Sequence, residues 1–159
     1  MAGKFLGTLL VERGVLDRTQ VQSILDRQMQ IGLPFGQIAV MLYNVRMADV
    51  WRALAEQQKE SLHEVELAEQ PPATDEALAV LPGRLAWVAR VLPLRFEGTT
   101  LICATTQRNL ADAMALMHER LDCPIHFVIA NDLELRQHIM DNYPVTDLHP
   151  SCLLKYANN

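Results

Sequence analysis

The side chains best suited to chemistry in this sequence are a cysteine and histidine group in its second half: Cys103, His118, Cys123 and His126. Thiolates and imidazoles are the common ligands of a tetrahedral zinc, and a cysteine beside a histidine is a common form of activated nucleophile. The spacing supports neither. Cys103 and His126 fall in stretches that read as strands, where a cysteine is most often buried as a small apolar residue. No third group is spaced to orient a Cys/His dyad. The acids Asp75-Glu76 and Asp132/Glu134 stand at predicted helix starts, where negative charge suits the helix dipole, and read as caps rather than general acids. A phosphate-gripping Gly-x-x-x-x-Gly-Lys-Ser/Thr loop is absent, because the only Gly-Lys pair, Gly3-Lys4, is followed by Phe5. The sequence therefore predicts no catalytic residue, no metal site, no cofactor and no enzyme.

The elements that position the remaining residues are written most clearly from Phe5 to Gln57. FLGTLLVERGVLDRTQVQSILDRQ (residues 5–28) returns as PFGQIAVMLYNVRMADVWRALAEQ (residues 34–57), 29 positions later. Five of the 24 columns are identical: Gly7/Gly36, Val11/Val40, Val21/Val50, Leu25/Leu54 and Gln28/Gln57. Five more are apolar in both copies: Leu6/Phe35, Leu9/Ile38, Leu10/Ala39, Leu16/Val45 and Ile24/Ala53. Chance supplies about one or two identities, so an internal duplication is the better reading.

Each copy has the form of a helical hairpin. Lys4 to Arg13 is apolar at 5, 6, 9 and 10, one face of a helix, and Gly14 can take the left-handed conformation that ends it. Asp17 and Gln20 have the spacing of a capping box, followed by the stripe Val21, Ile24, Leu25 and Gln28 and by Gly32 as a stop. Pro34 suits the first turn of a third helix. In the second copy Tyr43 replaces the stopping glycine, and Asn44 beside it tolerates the same backbone.

The second half alternates between element types. Leu62 to Leu67 alternates apolar and polar residues like a half-buried strand, and Ala68 to Thr74 is a proline-marked connector. Asp75 is placed to cap a short helix through Leu81, and Pro82 to open another through Trp87. Strands are predicted over Arg90–Phe96 and Thr100–Thr105, joined by a tight hairpin at Glu97-Gly98-Thr99. A helix over Asn109–Leu121, a strand over Pro124–Ala130 and a helix over Asp132–Asn142, capped by Asn131 and facing Leu133, Ile139 and Tyr143 inward, complete the order. The fold class is α+β: an N-terminal four-helix duplicated unit, residues 1–60, followed by a small mixed α/β sandwich-like layer, residues 61–143. Residues 144–159, with two prolines, Cys152 and a polar end, read as a flexible tail.

Composition bounds the functions open to such a chain. With 159 residues, half of them hydrophobic and 21% charged, it can bury a core as a globular protein. The charge of −5 is uneven, +2 over residues 1–59 and −7 over residues 60–159, and no basic surface for DNA or RNA follows from it. No apolar run reaches the length of a membrane span, and MAGKFLGTLL lacks the apolar core of a signal peptide, so a cytoplasmic location and no membrane insertion are expected. An odd count of three cysteines fits that expectation.

The double unit, with Leu-Gly, Leu, Gly, Leu and Gln at fixed spacing and a five-residue spacer, resembles the N-terminal domain of the assembly ATPases of type II secretion and type IV pili. The likeness extends through Leu81-Pro82, Val91 to Leu94, Glu97-Gly98, Leu101 to Thr105, Ala130-Asn131-Asp132 and Tyr143, covering roughly residues 4 to 143 without the ATPase motor. The resemblance implies two roles. One is a regulatory or adaptor module docking to a protein partner of a secretion or pilus machine, with Tyr43 and Trp51 as candidate contacts. The other is a sensor, since in some members the duplicated unit binds cyclic di-GMP. The nucleotide-binding positions so implied are Leu6, Gly7, Leu10, Gly14, Gln28, Phe35, Gly36, Leu54 and Gln57. The arginine of that pattern, whose planar fork suits guanine and phosphate, is replaced by Phe5 and Pro34. Lys4 and Arg46 are the nearby cations.

Overall fold

In the computed structural model, which describes residues 4–143, the chain divides into two compact units that meet at Ser61 and Leu62. The predicted tail and Cys152 lie outside the described residues.

The first unit holds α1 (Leu6–Glu12), α2 (Arg18–Ile31), α3 (Phe35–Tyr43) and α4 (Met47–Gln58). Its helix ends follow from local chemistry. Gly14, at φ 69°, ends α1 while its N–H donates to the carbonyl of Val11 and that of Val15 to Leu10, the paired bonds of a Schellman stop. Asp17 accepts from the Gln20 N–H at 2.8 Å and the Gln20 side chain accepts from the Asp17 N–H at 2.9 Å, completing the capping box. Gly32 and Asn44 close α2 and α3 in the left-handed region. Pro34 sits one place before α3 with an extended backbone rather than in its first turn.

Of the ten shared columns, Leu9/Ile38, Leu10/Ala39, Leu16/Val45 and Ile24/Ala53 are buried in both copies, whereas Leu25, expected on the core stripe, is 41% exposed. Leu9, Leu10, Leu16 and Ile24 of the first copy and Ile38, Ala39, Val45, Val50 and Ala53 of the second form one buried cluster, with Leu6, Val21, Phe35, Tyr43 and Leu54 packed against it. The packing crosses between hairpins: α1 lies chiefly against α4, and α2 against α3. The glycines of the shared columns instead bring together the two helices within each hairpin, α1 with α2 and α3 with α4. A Cβ on Gly7 would stand 2.8 Å from Cγ1 of Val21, and one on Gly36 would stand 2.6 Å from Cγ1 of Val50, the equivalent pair in the second copy.

The second unit is built on a mixed three-stranded sheet of β1 (Val91–Glu97), β2 (Thr100–Thr105) and β3 (Ile125–Ile129), in the order β1-β2-β3. β1 and β2 are antiparallel and joined by the two residues Gly98-Thr99, with Gly98 at φ 63°. The register shifts between Pro93 and Arg95, a bulge beside the residue that cannot donate to a ladder. β3 runs parallel to β2, and α7 (Leu110–Arg120) supplies the crossover that parallel strands require. The remaining helices are α5 (Asp75–Leu78), α6 (Gly83–Ala89) and α8 (Asp132–Asn142). α5, α6 and α8 pack on β1, α8 also on β2, and the Tyr143 hydroxyl donates to the Leu78 carbonyl at 3.0 Å.

The α+β class is observed, and three local expectations are corrected. Leu62 to Leu67 is not a full strand. A single parallel bridge joins Glu64 to Ile129, held by Val65 N–H to Ile129 and Ile129 N–H to His63, before a 3-10 turn over Leu67–Glu69. Thr74, not Asp75, caps α5, its hydroxyl accepting from the Ala77 N–H, and Asp75 is the first helical residue. Leu133 does not face inward: it is 77% exposed while Leu135 and Ile139 are fully buried. At 100° per residue Leu133 stands about 200° around the helix from Leu135, so the two cannot share a face. Asn131 caps α8 as expected, accepting from the N–H groups of Leu133 and Glu134.

Candidate functional site

The cysteine and histidine group does not come together as a whole: Cys123 is near enough to Cys103 to help raise its thiol, but His126 is on the other face of the sheet. In the β2–β3 ladder Cys103 lies opposite Phe127 and His126 opposite Ile102, so their side chains project from opposite faces of the sheet. No group of three metal-binding side chains occurs among the described residues. Cys103 is fully buried, and burial pushes its thiol well above the ordinary 9.0; Tyr143, also buried, is pushed above its ordinary 10.0 by the same cause. Both groups keep their protons in the folded state and lose them earlier in the unfolded chain. Their contribution to stability is therefore undiminished below about pH 9 and falls above it, first as Cys103 and then as Tyr143 titrates in the unfolded chain. Urea unfolding at pH 8.0, 9.5 and 10.5 is expected to show this loss, and Cys103→Val to remove the thiol's share. An unchanged pH slope in that variant would place Cys103 in contact with solvent.

The acids at helix starts have structural work. Glu134 accepts from the Ala68 N–H at 2.8 Å, and Asp132 pairs with Arg136 at 2.9 Å. Glu134 also borders a cavity of about 570 Å³ at the carboxyl ends of β2 and β3, walled by Glu64, Glu66, Gln107 and Asn131 as well. No constellation of base, nucleophile and orienting group forms around it.

The duplicated unit brings the implied nucleotide positions into two sets. Gly7, Leu10 and Gly36 are interior, and Leu10 has no exposed surface at all. Any part these three play in recognition therefore runs through packing. Leu6, Phe35, Leu54, Gln28 and Gln57 are half-buried, and Gly14 is exposed in its left-handed turn. Gln28 already has a partner, since its amide donates to the Leu33 carbonyl at 3.2 Å across the Gly32 stop. That bond ties the end of α2 to the spacer between the copies. The two cations read from the sequence are also engaged. Lys4 donates to both carboxylate oxygens of Glu12 at 3.0 Å, and the Arg46 guanidinium spans both oxygens of Asp49 at 3.0 and 3.3 Å, with Arg52 at 3.6 Å from the same carboxylate. The Lys4–Glu12 pair is on the surface, where such pairs are weak, whereas the Asp49 carboxylate is only 15% exposed and holds Arg46 with Arg52 beside it.

The apolar surface of this unit was not foreseen. Tyr43 and Trp51 are half-buried, and Tyr43 packs on the core. The exposed large apolar side chains are instead Phe5 (77%), Met29 (88%) and Met41 (64%), with Leu25, Ile31, Leu33, Leu42 and Met47 less so. Among the described residues the second unit exposes Val88, Leu133 and Met140. For Met29 and Met41 the available signal was a position off the core stripes, Met29 following Gln28 and Met41 standing two places from the buried Ala39, whereas Phe5 and Leu25 are exposed despite lying on the apolar stripes. Among the described residues no helix is long and apolar enough to cross a membrane.

No family model matches the chain, and no curated protein matches it. Solved structures do. The chain is similar to MshE with cdg, at 28% identity over 88% of this chain and 99% of that one, with a TM-score of 0.48. It is similar also to the N-terminal domain of XpsE, at 16% identity over 87% of this chain and 92% of that one, with a TM-score of 0.45, and in a second crystal form over 84% and 90%, again at 0.45. Structures that neighbour this chain over most of its length thus include MshE with cdg and the N-terminal domain of XpsE.

Proposed function

We propose that the chain is a non-enzymatic regulatory or adaptor module that docks to a protein partner of a secretion or pilus-type machine through its duplicated helical unit. The observation that carries this reading is the concentration of exposed Phe5, Met29 and Met41 on a unit whose core is already complete. Polarisable methionines and an aromatic are the side chains that adapt to a partner surface and dominate interface energies. In the secretion and pilus ATPases that the sequence resembles, this region joins the motor to the membrane-side platform, so a platform protein is the partner expected. The test is binding of the purified chain to the purified cytoplasmic parts of such a platform, measured by interferometry. Saturable binding that Met29→Glu and Met41→Glu weaken at least tenfold, with urea midpoints unchanged, is the expected result. Binding untouched by both substitutions would move the docking surface elsewhere.

A second reading is favoured by the equivalence of the two hairpins, down to the Gly7–Val21 and Gly36–Val50 contacts. A ligand with near two-fold symmetry such as cyclic di-GMP is matched by two such hairpins. Lys4 would have to leave Glu12 to reach its phosphates, at small cost for a surface pair, and Arg46 would have to leave the largely buried Asp49, which would keep Arg52 nearby. Isothermal titration with cyclic di-GMP at physiological salt, with GTP as control, tests it. Saturable heat that weakens on Gln57→Ala supports a sensor; neither heat nor thermal stabilisation at millimolar ligand retires it. Gln57 is the better probe, because Gln28→Ala also cuts the bond to Leu33.

A further inference from the structure

No further inference is drawn: the strongest candidate, the cavity at the carboxyl ends of β2 and β3 bordered by Glu64, Glu66 and Glu134, is an acidic cluster beside the N-terminus of α8 with no buried polar side chain aimed into it.

Discussion

Leu10→Ala is expected to remove about 2–5 kcal/mol from the stability of the helical unit, measured as a fall in the urea midpoint at constant slope. Leu10 is completely buried among Leu9, Leu16, Ile24 and the second-copy residues Ile38, Ala39 and Val50. Truncation deletes three carbons and leaves a cavity that rigid helix packing closes only in part. A unit of this size commands about 3–9 kcal/mol in all, so the loss takes a large share of it. The same position is implied in nucleotide recognition by the family resemblance, which makes the variant a discriminating one. Any weakening of ligand binding should track the unfolded fraction and vanish when an osmolyte restores the fold. A stability change under about 1 kcal/mol would show that the leucine is not in the core.

Gly36→Leu is expected to be as severe, costing about 3 kcal/mol or more, because overpacking a closed helix contact forces both backbones to shift. Even the first added carbon would meet Cγ1 of Val50 at 2.6 Å, and valine has no soft rotamer to move into. Gly36→Ala sets that clash, worth about 1–3 kcal/mol, against a gain of about 1 kcal/mol in helix propensity, so its net cost is smaller. A double-mutant cycle isolates the contact. Combining Gly36→Ala with Val50→Ala should cost less than the sum of the two by about 1 kcal/mol, since the second substitution makes room for the first. Strict additivity would mean that the helices are not held apart by this pair. Gly7 and Val21 should repeat the behaviour at 2.8 Å, with Phe35 near as a further obstacle.

What could be read in the sequence was whatever chemistry is local. Asp17 with Gln20, and the stops at Gly14, Gly32, Asn44 and Gly98, are each settled within four or five residues, and all appear where expected. Four of the shared columns, Leu9/Ile38, Leu10/Ala39, Leu16/Val45 and Ile24/Ala53, are buried in both copies because a duplicated core must fill the same positions twice. Pairings set at a distance escaped. Nothing near Leu62 to Leu67 says that its bond to Ile129 stops after one bridge, and nothing near Lys4 says that Glu12, two turns away, will hold it. Leu133 misled because an apolar residue in the first turn of a helix looks like core until the angle to Leu135 and Ile139 is taken into account. The exposure of Met29 and Met41 was hidden for the opposite reason: hydrophobic type alone does not tell a core side chain from one kept for a partner.

The crossed packing of the hairpins, α1 on α4 and α2 on α3, bears on how such a unit could arise. A single copy presents Leu9, Leu10 and Ile24 with nothing to cover them. It is half of an interface rather than a small domain. The five-residue spacer between Gln28 and Pro34 then acts as a covalent tether, turning an association that depends on concentration into one that does not. Once tethered, the halves were released from being identical, and the replacement of Leu10 by Ala39 and of Ile24 by Ala53 shows how far they have drifted while filling one shared interior.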